Sequence, residues 1–200
     1  MSKPDYSRYL SHFTKDNKNA NAKNNLIQIL SDERVKVSQM PFTHVFAVCF
    51  TECPWTSLVE HAKKYSPYGI GFKKDFIFNC GGSPALYVRR DLLSKDNWLD
   101  CLDKELHYLL TPFWPIYASK KGAKGKLPPQ YKVYDYTHER EWRLPNDLCF
   151  SKDDIEFIVV DTYEDIEDIR NKISGLSYEK FLTIQSYLVT EKLWPVHKIG

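Results

Sequence analysis

No stretch of this chain stays apolar for the ~20 residues that a membrane-spanning helix needs, so no membrane partner is expected. Net charge is scarce as well. The chain carries 28 Lys and Arg against 26 Asp and Glu, a balance of +2, too small a bulk field to announce a nucleic-acid binder by itself. Its cysteines are odd in number and scattered, at Cys49, Cys53, Cys80, Cys101 and Cys149. The opening residues are polar, without the pattern of a secretory leader. Reduced thiols in a cytoplasmic protein are expected rather than a disulfide framework. Cys49 and Cys53 lie four apart, but no second pair and no histidine cluster completes a zinc site, so no metal is expected. No internal repeat is visible.

What is present is a large aromatic content. Hydrophobic residues make up 42% and aromatics 14%, enough to build a core and to line an aromatic cleft. Two hundred residues fit one domain, spanning 1–200 and ending in a C-terminal helix. Charge is unevenly spread. Lys120, Lys121, Lys124 and Lys126 crowd one segment, Lys63, Lys64, Lys73 and Lys74 bracket another, and residues 153–168 are strongly acidic.

Hydrophobic patterning predicts irregularly alternating strands and helices, an α+β fold. Strands are expected at Tyr6 to Thr14, Val45 to Phe50, Tyr68 to Phe72, Pro84 to Val88 and Ile155 to Val160. A helix is expected near Asn25, capped by a preceding asparagine and ended by Ser31-Asp32. Further helices are expected from Trp55 to Lys64, Asp91 to Tyr117, Tyr163 to Ile173 and Tyr178 to Leu193. The segment from Lys120 to Tyr131, with its glycines, prolines and lysines, reads as a surface loop. Gly69-x-Gly71 lacks the third glycine and the helix start of a dinucleotide fingerprint, and reads as a strand kink or a point of close approach.

Two constellations carry candidate chemistry. In Glu139-Arg140-Glu141-Trp142-Arg143, an expected strand would put both glutamates and Arg143 on one face. Like charges so close disfavour each other's ionisation. The run is either a solvated edge strand or a site. Far upstream, His12-Phe13-Thr14 places an imidazole and a hydroxyl where they would grip a polar ligand together, unless His12 is a satisfied, half-buried core residue.

These residues carry resemblances. His-x-Thr followed by Asn25-Leu26-Ile27-Gln28-Ile29-Leu30 is similar to the opening of DarT-like DNA ADP-ribosyltransferases and of RNA 2′-phosphotransferases. Val48-Cys49-Phe50-Thr51-Glu52-Cys53-Pro54, then His61, Tyr65 with Tyr68-Gly69-Ile70-Gly71-Phe72, and Glu139-Arg140-Glu141-Trp142-Arg143 resemble the AbiGi family of abortive phage-resistance proteins, from about Tyr9 to Val160. The transferase resemblance implies a split pair of small sheets gripping NAD, with flanking helices. It also implies an NAD-dependent mono-ADP-ribosyltransferase toxin of phage defence that modifies RNA or single-stranded DNA. NAD would be held by His12, Phe13, Thr14, Phe50, Thr51 and Arg143, with Tyr68 a rival to Phe50-Thr51 for stacking on nicotinamide. Glu141 would stabilise the oxocarbenium-like ribose, and Glu139 would orient or deprotonate the acceptor. Lys120, Lys121, Lys124 and Lys126 would bind acceptor phosphates, or form only a solvated loop. A cognate antitoxin or chaperone is an expected partner.

The AbiGi name itself denotes the antitoxin of a phage-resistance pair, so the alternative expectation is a non-catalytic antitoxin or sensor. A 2′-phosphotransferase is disfavoured because no paired arginines accompany His12.

Overall fold

The computed structural model describes residues 7–52, 62, 65–93, 102–115, 135 and 137–184. In chain order these form β1 (Tyr9–Phe13), α1 (Ala22–Asp32), β2 (Arg34–Val35), β3 (Ser38–Gln39), β4 (Phe46–Thr51), β5 (Gly69–Lys73), α2 (Lys74–Asn79) and β6 (Ser83–Pro84). There follow β7 (Leu86–Arg89), α3 (Arg90–Leu93), β8 (Leu110–Phe113), β9 (Glu141–Leu144), β10 (Leu148–Cys149), β11 (Ile155–Val160), α4 (Tyr163–Lys172) and β12 (Phe181–Thr183). The fold is α+β. Among the described residues an eight-stranded mixed sheet runs β12-β11-β5-β1-β4-β9-β6, with β3 beside β4. Two small ladders, β2 with β10 and β7 with β8, stand apart from it.

The sheet has two different faces because side chains alternate along each strand. Leu10, Ile70, Phe72 and Ile158 belong to one buried cluster with Leu26 and Leu30 of α1 and Ile166 and Ile169 of α4. Those helix pairs are spaced four and three apart, the spacing that keeps them on one helical face. Each such fully buried side chain contributes roughly 1.5–3 kcal/mol. Phe13, Phe157, Val159, Ala62 and Ile184 form a second cluster.

The two glycines of β5 serve that second cluster. A Cβ at Gly71 would lie 2.3–2.5 Å from the Phe157 ring, and one at Gly69 would lie 2.9 Å from Phe13 Cδ1. Aromatic rings from the neighbouring strands thus lie directly on bare backbone. The expected kink in β5 is absent, since the strand pairs with β1 continuously from Tyr9–Lys73 to Phe13–Gly69. The irregularity falls instead on β11, between Ile155 and Phe157.

Caps set the helix ends. Asn21 accepts from the Asn24 amide, so α1 begins at Ala22, earlier than the Asn25 start expected. Thr162 and Asp165 form a reciprocal capping box on α4. The apolar run at 155–160 is β11 as expected, and the run near 45–50 is β4, displaced by one residue.

Three expectations need correction. The aromatic-rich stretch from Asp91 to Tyr117 is not one helix: it contains α3, a 3-10 turn at Lys104–Leu109 and the strand β8, which pairs in parallel with β7. Pro112 cannot donate within a helix but is tolerated in a two-stranded ladder. The segment from Tyr178 is a 3-10 turn and then β12, because pairing with β11 buries Phe181. The expected split pair of small sheets is instead one sheet with a weak seam, described below. The Trp55–Lys64 helix (Ala62 apart) and Lys120, Lys121, Lys124 and Lys126 lie outside the described residues, as does everything after Ile184.

Candidate functional site

The weak seam lies between β1 and β4. β1 pairs with β5 along its whole length but meets β4 at one register pair, Ser11 with Thr51. Beyond it the Cys49 carbonyl takes a side chain rather than a strand partner: His12 Nδ1 donates to it at 2.9 Å. A buried carbonyl left unpaired would cost free energy comparable to a lost hydrogen bond. Burial lowers the His12 pKa below its ordinary value, against the opposing effect of this bond, and nearby Lys15 lowers it further. His12 is therefore a neutral imidazole bridging two diverging strands. Its ring also lies edge-on to Phe50, 6.0 Å between centroids.

A cleft of about 700 Å³ opens at this seam. It brings together His12, Phe13, Thr14, Phe50, Thr51, Glu139 and Glu141. It excludes Arg143 and Tyr68. Lys15, Arg34 and Lys36 face Asp16 and Asp32 around it, so its charge is mixed.

Glu139 and Glu141 reach the cleft in a way the strand pattern does not predict. β9 begins only at Glu141, Glu139 ends a 3-10 turn, and Arg140 between them has the left-handed φ of 42°. Glu139 is thus not one strand-step from Glu141. Its carboxylate accepts from Tyr65 Oη at 2.7 Å, and its carbonyl accepts from Thr51 Oγ1 at 2.6 Å. Arg140 turns away, with Nη1 3.8 Å from Glu52.

Glu141 and Arg143 do share a face, and they bond to each other. Arg143 Nε donates to Glu141 Oε1 at 2.9 Å and Nη2 to Oε2 at 3.0 Å. Arg143 Nη1 donates to the carbonyls of Tyr108 and Leu110, and Nη2 also to Thr111 Oγ1. All five guanidinium donors are thereby engaged. In this arrangement Arg143 pairs with the Glu141 carboxylate and does not line the cleft. Thr111 Oγ1 adds a bond to Glu141 Oε2 at 3.2 Å. Burial and the Glu141 carboxylate push the Cys49 thiol up to about 12, so it is not a poised nucleophile.

The remaining residues hold the frame. Thr14 Oγ1 bridges the carbonyls of Ala22 and Tyr68, at 2.8 and 3.1 Å, joining the ends of β1, α1 and β5. Tyr68 Oη donates to Asp165 at 3.1 Å, away from the cleft. Burial and that carboxylate push the phenol up to about 12. The sequence offered Tyr65 only as part of the family resemblance, not as a partner of Glu139, and Thr111 as a partner of Glu141 was missed. Thr111 carries no local signal, since its role depends on β8 folding back onto β9.

Comparison with known proteins places the chain. A family model described as "Putative abortive phage resistance protein AbiGi, antitoxin" matches residues 16–181. No curated protein and no solved structure matches. The expectation of an NAD-dependent toxin is corrected by this description, which names the opposite member of such a pair and agrees with the alternative expectation. No helix among the described residues is long and apolar enough to cross a membrane. Matched over most of its length, the chain belongs to the AbiGi family of abortive phage resistance proteins, described as antitoxins.

Proposed function

We propose that the chain acts as a non-catalytic antitoxin that restrains a cognate toxin of an abortive-infection pair by binding it. The observation that carries this reading is the closed bonding of Glu141. Both of its oxygens are held by Arg143, and one also by Thr111. A catalytic carboxylate must make interactions in the transition state that it does not already make in the ground state. One held in a bidentate fork has little left to offer. Glu139 is held at one oxygen by Tyr65. These bonds suit a scaffold that fixes a cleft's shape.

The cleft of about 700 Å³ then serves as a groove for a segment of the toxin. Its mixed rim of Lys15, Arg34 and Lys36 with Asp16 and Asp32 suits a polypeptide carrying both charges. Co-expression tests the proposal. The chain alone should leave growth unaffected and, expressed with the toxin of its pair, should restore growth. Incubated with labelled NAD and separate pools of RNA, DNA and protein, it should transfer no label. Growth arrest by the chain alone, or label transfer that Glu141→Gln abolishes, would overturn it.

A further inference from the structure

Trp142 turns away from the seam. It alternates on β9 with Glu141 and Arg143, and pairs across the sheet with Phe50 and Pro84. It lines a second cleft, of about 510 Å³, with Arg8, Tyr9, Lys73, Lys74, Asp75 and Phe78. The two clefts have no lining residue in common.

This second cleft combines aromatic side chains with cations. Phe78 is 63% exposed and Tyr9 40% exposed, large ring surfaces left in water at the mouth of a concavity. Tyr9 is braced edge-on by Phe157, 5.9 Å between centroids. Trp142 is held from beneath: Lys74 Nζ lies 5.6 Å from its ring centroid and 2.8 Å from the buried Glu52. Lys74 is thereby committed to the protein. Lys73 pairs with Glu156 at 3.1 Å but keeps 58% of its side chain exposed. Among the described residues, the exposed guanidinium of Arg8 forms no ion pair.

We propose that this cleft binds a nucleotide unit, its base stacked on the aromatic side chains and its phosphate on Arg8 and Lys73. The chemistry favours this ligand over an acidic peptide. A peptide carboxylate would use the cations and leave Phe78 and Trp142 idle, whereas a base offers a π-face to both. Stacking of this kind tolerates any base, and a guanidinium both stacks and forks onto phosphate. A volume of this size falls in the range of small-ligand sites. The inference does not depend on the antitoxin reading, because the site lies on different residues.

Fluorescence anisotropy of labelled eight-nucleotide RNA and DNA single strands tests it, with unlabelled AMP, GMP and octa-glutamate as competitors. Phe78→Ser and Arg8→Gln alter exposed side chains, so melting curves should overlay the parent. Each should weaken binding about tenfold, and Arg8→Gln should also reduce the log–log salt slope by roughly 0.7. Lys172→Gln, on α4, should change nothing. Competition by mononucleotides would mark a single nucleotide as the ligand, and competition by strands alone a single-stranded nucleic acid; either supports the proposal. Failure of the parent protein to bind, binding that survives both variants, or equal competition by octa-glutamate would overturn it.

Discussion

Glu141 and Arg143, two residues apart on one strand, close a two-bond fork with each other at 2.9 and 3.0 Å. A strand places such a pair side by side on one face, and Arg143 is 5% exposed. Isolated, either charge would be costly there. Together, with the Tyr108 and Leu110 carbonyls and Thr111, they pin β9 to the β7–β8 ladder. Glu141, read from the sequence together with Glu139 as a candidate catalytic carboxylate, forms with Arg143 a clamp between two parts of the fold.

Removing one partner of this clamp should therefore be severe. Arg143→Met leaves Glu141 facing an apolar wall and two carbonyls without donors. Unfolding by urea should show a loss of about 3–5 kcal/mol. Arg143→Lys should recover only part of it, because an ammonium cannot reproduce the planar fork. A variant as stable as the parent would mean that the fork contributes nothing and that Glu141 is held in place by something else.

Gly71 should tolerate no side chain while Phe157 is present. The Cβ of Gly71→Ala would meet the ring at 2.3–2.5 Å, and overpacking of this degree costs roughly 1–3 kcal/mol. In a Phe157→Ala background the same substitution should be nearly neutral. The non-additivity measured in a double-mutant cycle reads this coupling directly. Equal costs in both backgrounds would show that strand flexibility, not the ring, is what Gly71 supplies.

The parts of the fold that depend on local chemistry were legible in the sequence. β11 is an Ile-, Phe- and Val-rich segment whose composition reads as a buried strand, and α4 is read as a helix from its patterning within the acidic stretch. The parts that depend on distant pairing were not. β12 exists because β11 offers it an edge: Phe181 and Thr183 favour strands, but so short a segment does not stand out within the helical pattern read from Tyr178 to Leu193. The cleft was half legible. His12, Thr14, Glu139 and Glu141 all reach it, but what occupies their polar atoms comes from residues far off in sequence. Glu141 is clamped from a strand 30 residues away, and Thr14 is bonded by a carbonyl 54 residues away. The left-handed turn at Arg140, which sets Glu139 apart, leaves no trace in composition.

Thr14 should prove a structural residue with a hydroxyl requirement. Its Oγ1 lies against the carbonyls of Ala22 and Tyr68, and the residue is 4% exposed. Thr14→Val keeps the shape and removes the donor, which should cost roughly 1–2 kcal/mol. Thr14→Ser should remain within a fraction of that. Should Thr14→Val instead be as stable as the parent and fail only in restraining the toxin, the hydroxyl belongs to the binding surface.

His12 should make the protein sensitive to mild acid. Burial lowers its folded pKa below the ordinary 6.5, opposed by the bond to Cys49 and assisted by nearby Lys15. The unfolded chain takes up the proton first, so the contribution is complete above pH 6.5 and is lost as pH falls towards the folded value. Through that window the loss approaches about 1.4 kcal/mol per pH unit. His12→Asn retains an N–H that can donate to the Cys49 carbonyl but does not titrate. Urea unfolding at pH 7, 6 and 5 should therefore show a decline in the parent protein that is flattened in His12→Asn. Parallel declines in the two proteins would assign the acid sensitivity to other groups, and His12 would then be accessible enough to protonate in place.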